Sequence, residues 1–245
     1  MKTVVIIPSR MASKRFPNKP LAKINGIPMI QRVWNQAIKA QLGDVYVACS
    51  EKEVFNVIKE NGGNVIMTNP DLQSGTDRVY YALLQIDNYK KYRSVINLQG
   101  DMPLIDSDDI IKVNEPIKKG FKIGTLATNL STIDEKNKNI TKVKVNWINR
   151  PVIGEAEEFY KDSKSITKNI YQHVGIYSFT LETLKAFVEM TPSKNELNLK
   201  LEQYRALDAG IKIGITYVGN IPISVDTKED LIHVENIIKS SDEKN

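Results

Sequence analysis

Four cationic side chains, Arg10, Lys14, Arg15 and Lys19, fall in one short segment directly after the β-branched run Thr3-Val4-Val5-Ile6-Ile7. Guanidinium forks and ammonium groups offset the charge of a polyphosphate, and the backbone N–H groups of such a loop donate to its oxygens. Prolines at 8, 17 and 20 stiffen the segment and reduce the entropy lost when it orders around a ligand, which favours binding over solvation of the charges alone. No G-x-x-x-x-G-K-[ST] loop occurs and no G-x-G-x-x-G follows the strand, so neither the P-loop nor the dinucleotide-binding motif is present.

Asp101 closes Asn97-Leu98-Gln99-Gly100-Asp101, directly after a buried run, where a carboxylate stands at the ligand-binding edge of a sheet. Asp226 follows Ile223-Ser224-Val225 in the same manner. Two strand ends that each bring a carboxylate to one cleft suit a hard cation carrying phosphates. The alternative is that Asp226 caps the helix beginning near Lys228. Gln73-Ser74-Gly75-Thr76-Asp77-Arg78 opens another helix, where hydroxyls and N-terminal N–H groups could read a base edge or an anion, or simply cap the helix. Arg78 lies near the N-terminus of that helix, against the sense of its dipole, which weakly favours an anion-binding role. His173 and His233 are the only histidines, too few for a histidine-rich metal site. Cys49, the single cysteine, excludes an internal disulfide and a multi-cysteine zinc site, and its apolar setting reads as a small buried hydrophobe.

These residues need elements to hold them. Thr3–Ile7 lacks polar alternation and reads as a central parallel strand. Pro28 to Gln41 carries apolar residues at helical spacing; Val45 to Cys49 reads as a strand, Glu51 to Glu60 as a helix with Ser50 as its N-cap, and Val65 to Met67 as a short strand. Thr76 to Gln85 reads as a helix and Ser94 to Leu98 as a strand. Strands at Ile123 to Thr128, Lys142 to Trp147 and Tyr171 to Phe179 lie among polar connections, so residues from about 120 to 179 form an antiparallel or mixed extension. Helices follow at Leu181 to Glu189, Glu196 to Ala209 and Lys228 to Lys239, with strands at Ile211 to Val218 and Ile223 to Val225. The alternation predicts an α/β fold with a mostly parallel sheet, organised as one domain over residues 1–245.

Composition is that of an ordinary globular chain: 245 residues, 41% apolar and 26% charged. The net charge of +5 is spread along the sequence with no aromatic-interleaved basic stripe, so nucleic-acid binding is not demanded. The first strand begins at once after Met1-Lys2 and no apolar run approaches the roughly 20 residues that span a bilayer, which leads us to expect a cytoplasmic protein without membrane insertion.

Together, VVIIPSRMASKRFPNKPL at 4–21, QSGTDR at 73–78, NLQGDMPLI at 97–105, HVGIYSF at 173–179, LEQYRAL at 201–207 and ISVDTKEDL at 223–231 are specific. With them the chain resembles the 3-deoxy-manno-octulosonate cytidylyltransferases, or CMP-Kdo synthetases, over nearly its whole length. The resemblance implies a Rossmann-like nucleotidyltransferase fold and transfer of a cytidylyl group from CTP to the eight-carbon sugar acid Kdo. It further implies release of pyrophosphate with magnesium, for lipopolysaccharide biosynthesis. By position it implies that Arg10, Ser13, Arg15 and Lys19 lie at the CTP phosphates, with Arg10, Lys19, Asp101 and Asp226 catalytic and Asp101 and Asp226 holding Mg2+. It places Gln73, Ser74 and Thr76 near the cytosine, with Gly75 and Gln99 also in the substrate site. The resemblance also implies that Arg78, His173, Tyr177, Glu202 and Gln203 line the sugar-acid site, and suggests that the 120–179 extension serves that site and a homodimer contact.

One segment departs from the family pattern. Where members carry tyrosine-phenylalanine-serine-arginine, with the arginine helping to hold the sugar carboxylate, this chain reads Glu158-Phe159-Tyr160-Lys161. A lysine cannot reproduce bidentate carboxylate binding, so either Lys161 or Lys164 substitutes, or the acceptor is a related amino-Kdo or sialic-type acid. A nucleotide-binding sensor of weak catalytic power is the reading from another class.

Overall fold

The structure is a computed structural model that describes residues 2–12, 15–131, 134–149, 152–161 and 169–242. In chain order its strands are β1 (Thr3–Ser9), β2 (Lys23–Ile24), β3 (Ile27–Pro28), β4 (Gly43–Cys49), β5 (Asn64–Met67), β6 (Ser94–Asn97), β7 (Ile123–Thr128), β8 (Lys142–Asn149), β9 (Ile153–Tyr160), β10 (Ile170–Thr180) and β11 (Ile213–Tyr217). The helices are α1 (Met29–Lys39), α2 (Lys52–Glu60), α3 (Gly75–Leu84), α4 (Ser107–Lys112), α5 (Glu115–Lys118), α6 (Leu181–Glu189), α7 (Lys194–Leu199), α8 (Tyr204–Asp208) and α9 (Lys228–Asp242). The chain divides into two compact units, one of residues 1–92, 97–110 and 222–245 and the other of 93–96 and 111–221.

In the first unit β1, β4 and β5 run parallel in the order β5-β4-β1. Val4, Val5, Ile6 and Ile7 have no exposed surface, as expected for a strand covered on both faces. The β1–β4 register depends on a glycine: a Cβ at Gly43 would stand 2.0 Å from the Thr3 carbonyl oxygen. Leu98 N–H donates to Ile6 O at 3.2 Å, which brings the Gln99-Gly100-Asp101 turn to the carboxyl end of β1. Gly100 allows that approach, since a Cβ there would lie 3.0 Å from Pro8 O and 3.1 Å from Ile30.

The second unit has the strand order β6-β10-β7-β11-β9-β8, and β10 also pairs with β8. The five strands β7 to β11 therefore return on themselves, leaving fewer open edges for unwanted pairing. Among the described pairings of these five strands, β7–β11 is parallel and β10–β7, β10–β8, β9–β11 and β8–β9 are antiparallel. The middle strands expected from sequence are present as β7, β8 and β10.

Four expectations need correction. Residues 223–225 form no strand; a single hydrogen bond, Val225 N–H to Asp101 O at 2.9 Å, fixes them instead. Residues 196–209 are not one helix but α7 and α8, parted at Lys200, whose φ of 55° is left-handed and cannot continue an α-helix. Ser50 does not cap α2: the N-cap is Glu51, and the Ser50 hydroxyl donates to the Glu51 carboxylate at 2.9 Å. Finally, β9 occupies a stretch expected to be connection.

Candidate active site

A cleft of about 770 Å³ opens in the first unit, lined by the end of β1, the following loop, the start of α3 and the Gln99-Gly100-Asp101 turn. Its walls include Ser9, Arg10, Arg15, Lys19, Ser74, Gly75, Arg78, Gln99 and Asp101. That volume is within the usual range for a small-molecule site.

At its acidic end, Lys19 Nζ donates to Asp101 Oδ2 at 2.8 Å and to Asp226 Oδ1 at 3.2 Å, while Arg15 contacts Asp226 Oδ1 at 3.1 Å. Asp226 is free to do so because it is not the helix cap. Thr227 and Asp230 cap α9 reciprocally: Asp230 N–H donates to Thr227 Oγ1 at 3.2 Å and Thr227 N–H to Asp230 Oδ2 at 2.9 Å. Both carboxylates already converge on one positive centre, the Lys19 ammonium. That arrangement fits a small divalent cation whose remaining ligands are phosphate oxygens and water. Among the described residues no third histidine, cysteine, aspartate or glutamate joins them.

An apolar cluster beneath the cleft holds the loop and the second carboxylate in place. Phe16, one residue after Arg15, packs with Ile24, Met29, Val234 and Val225, the last directly preceding Asp226. Burying a side chain of this size contributes roughly 1.5–3 kcal/mol, enough to keep a cationic loop from drifting in solvent.

The helix-opening residues separate in role. Ser74 accepts from Asp77 N–H at 3.1 Å in a reciprocal capping box, yet it still faces the cleft. Thr76 is buried and accepts from Asn97 Nδ2 at 3.2 Å, and Asn97 Oδ1 in turn accepts from Gln99 Nε2 at 3.0 Å. This chain holds the Gln99 side chain at the cleft wall. Gln73 donates to Asp71 O, and neither Gln73 nor Thr76 lines the cleft. Arg78 is 2% exposed, donates to Thr68 Oγ1 and borders the cleft. Burial lowers its pKa, Glu51 opposes that shift and Arg10 adds to it; the guanidinium nonetheless stays charged at any ordinary pH. A buried cation beside Arg10, with a neutral hydroxyl as partner, suits an anionic guest.

The remaining predicted residues lie in the second unit. Tyr177, Glu202 and Gln203 line a pocket with Phe179, Phe187 and Ala206, with room for about one water. Burial, then the Glu202 charge, pushes the Tyr177 hydroxyl well above the ordinary phenol range, so it remains protonated. His173 packs its ring against Tyr177 and Phe159, and its Nε2 lies 3.0 Å from Thr125 Oγ1. Burial lowers its pKa to about 3, so the ring is neutral near pH 7. Lys161 donates to Lys200 O at 3.1 Å instead of reaching that pocket. Ser13, with Lys14 and Lys164, falls outside the described residues.

Sequence reasoning missed Ser9. Its hydroxyl is buried at the cleft wall and has no hydrogen-bond partner among the described residues, the condition of a group that a ligand would satisfy. Its place as last residue of the strand feeding the cationic loop was the available signal.

A family model described as cytidylyltransferase matches residues 4–213. The chain belongs to the cytidylyltransferase family. It is 37% identical over 242 residues to 3-deoxy-manno-octulosonate cytidylyltransferase of Paramagnetospirillum magneticum, covering 97% of this chain and 98% of that protein. It is 39% identical to the protein of that name from Parvibaculum lavamentivorans, covering 93% and 89%. Among solved structures, CMP:2-keto-3-deoxy-manno-octonic acid synthetase complexed with CTP superposes with a TM-score of 0.90 at 30% identity, covering 98% of this chain and all of that one. A UDP-glucose pyrophosphorylase, at 14% identity and TM-score 0.73 over 98% and 100% of the two chains, shares the fold of this cytidylyltransferase. The α/β nucleotidyltransferase fold expected from sequence is thereby shown, as is an enzyme of the nucleotidyltransferase class.

Proposed function

We propose that this cytidylyltransferase transfers CMP from CTP to 3-deoxy-manno-octulosonate, giving CMP-Kdo and pyrophosphate for lipopolysaccharide biosynthesis. One observation carries the reading: Lys19 stands between Asp101 and Asp226, with Arg15 on Asp226, at the end of a cleft that Arg10 and Arg78 also line. Cations that pair with the site's own carboxylates are arranged to exchange onto a triphosphate. Relatives bearing the Kdo cytidylyltransferase name along almost their full length support the acceptor.

In the reaction the anomeric hydroxyl oxygen of the sugar acid bonds to the α-phosphorus, the bond from that phosphorus to the bridging oxygen breaks, and pyrophosphate leaves as the hydroxyl proton is lost. No protein nucleophile is needed; positioning and charge stabilisation do the work. Arg10, Arg15 and Lys19 hold the phosphates, Ser9, Ser74 and Gly75 border the nucleoside, and Gln99, fixed through Asn97, orients substrate. Asp101 and Asp226 would hold a divalent cation, Mg2+ in our reading, which polarises the α-phosphate when bound. The acceptor contacts we assign are Arg78, His173, Tyr177, Glu202 and Gln203. We further assign the whole chain to one nucleotidyltransferase domain, with residues 120–179 serving acceptor binding and a homodimer contact, and place the enzyme in the cytoplasm. No helix among the described residues is long and apolar enough to cross a membrane.

Lys161 is engaged on a backbone carbonyl, so the acceptor carboxylate lacks the fork that relatives in the resemblance supply there. The deciding experiment is pyrophosphate release from CTP and Mg2+ across a panel of Kdo, amino-Kdo and a nonulosonic acid. Turnover with Kdo is expected to be fastest. Fastest turnover with another acid would reassign the acceptor, and CTP binding without release across the panel would make the protein a nucleotide sensor.

A further inference from the structure

Between α7 and α8 the chain turns through Lys200, Leu201, Glu202 and Gln203 without regular structure. The backbone of this turn is held by Leu201 N–H to Glu196 O at 3.3 Å, Tyr204 N–H to Leu201 O at 3.1 Å and Arg205 N–H to Glu202 O at 3.0 Å, and it presents both Glu202 and Gln203 to the pocket that Tyr177 and Phe187 border. Side chains of the flanking helices then orient the turn as a whole.

Arg205 and Glu196 grip it from either side. Arg205 Nε donates to Glu196 Oε2 at 2.9 Å and its Nη2 to Oε1 at 2.6 Å, a bidentate pair whose residues are each 9% exposed. The third guanidinium nitrogen, Nη1, donates to Phe187 O at 3.3 Å, and the guanidinium carbon sits 4.8 Å from the centre of the Phe187 ring. Glu196 is itself immobilised, because its Oε2 also accepts from Ser193 N–H at 3.2 Å at the start of α7. The fork thus ties α7, α8 and the pocket wall at Phe187 into one arrangement. A buried ion pair is rarely a net source of stability compared with apolar packing of the same volume. What a planar fork adds is direction, since its donors reach fixed acceptors in one plane.

We infer that Arg205 and Glu196 are positioning residues for acceptor binding, holding the Leu201–Gln203 turn so that Glu202 and Gln203 are presented to the acceptor. The inference rests on the reading of Tyr177, Glu202 and Gln203 as acceptor contacts. It extends it by assigning two residues that touch no substrate.

The test compares Arg205→Lys, which keeps charge but loses the fork, with Glu196→Gln and with the apolar double replacement Arg205→Met/Glu196→Leu, which restores packing without direction. Each is measured for the acceptor KM, the CTP dissociation constant and the melting temperature. Because small misplacements in a binding site are costly, acceptor KM is expected to rise about tenfold or more in all three while CTP affinity stays within about twofold. The double variant is expected to keep a melting temperature near the parent's while its KM remains raised. Variants with lowered melting temperature but parental acceptor KM would reduce the pair to a structural role and overturn the inference. Glu202→Gln and Gln203→Ala accompany them. If these two leave acceptor KM unchanged, the pocket reading falls and takes the inference with it. If they raise it while the Arg205 and Glu196 variants do not, the inference alone falls.

Discussion

Replacing Asp101 or Asp226 with asparagine keeps each side chain's shape but removes the charge that now faces Lys19 at 2.8 and 3.2 Å. Either change is expected to reduce Mg2+-dependent pyrophosphate release by ~100-fold or more, since it halves the anionic donor set available to a divalent cation. Far-UV circular dichroism should be unchanged, because neither carboxylate supports the backbone; near-normal release by either variant would remove that residue from the mechanism. At this scale the sequence was informative about residue types and ambiguous about their use. Asp226 could be read as ligand or as cap, and the distinction lay one position further on, where Thr227 and Asp230 form the capping pair that leaves Asp226 uncommitted. Ser9 escaped notice because a serine at a strand end has many ordinary uses, and only its unsatisfied buried hydroxyl marks it. The relay from Thr76 through Asn97 to Gln99 joins residues from α3 and β6, a contact that no local pattern encodes.

At the scale of elements, the parallel strands and amphipathic helices of the first unit were legible because each is a continuous apolar or 3.6-periodic run. The break between α7 and α8 was not, since lysine is a poor marker for a left-handed turn that glycine or asparagine would have announced. Strand β9 escaped too, its charged Glu155, Glu157 and Glu158 hiding the buried Ala156 and Phe159. The triplet Ile223-Ser224-Val225 was over-read as a strand when its role is to anchor Val225 in the cluster under the cleft. Strand β10 carries a prediction about pH. Burial depresses the pKa of His173 to about 3, below its unfolded value, so the folded state binds fewer protons than the unfolded state between those limits. Its contribution is fully present above the unfolded pKa and is lost as pH falls toward 3, with a slope of at most ~1.4 kcal/mol per pH unit. Urea denaturation from pH 7 to pH 4 should therefore show a shallower decline for His173→Gln than for the parent. Parallel declines would mean that His173 titrates normally in the folded chain.

For the molecule as a whole, composition indicated an ordinary globular chain and the alternation of strands and helices an α/β fold, but the division into units and the return of β8 onto β10 depend on long-range pairing that no window of sequence displays. The lone thiol offers a probe of global behaviour. Cys49 is fully buried, and burial, followed by the nearby Glu51 charge, pushes its pKa up to about 12. A thiol-disulfide reagent should react with it only as fast as the first unit opens, and CTP at 100 times its dissociation constant should slow labelling by ~100-fold if opening destroys the nucleotide site. Labelling at the rate of a free thiol, or indifference to CTP, would contradict the placement of the cleft in that unit. The bond between Lys19 and Asp226 also bears on the birth of the protein, because it joins residues 207 positions apart. During translation the cationic loop emerges first, its carboxylate partner Asp101 follows 82 positions after Lys19, and Asp226 arrives only 207 positions after it. A product cut short before residue 226 can therefore retain the cationic loop while lacking one of the two carboxylates that Lys19 pairs with.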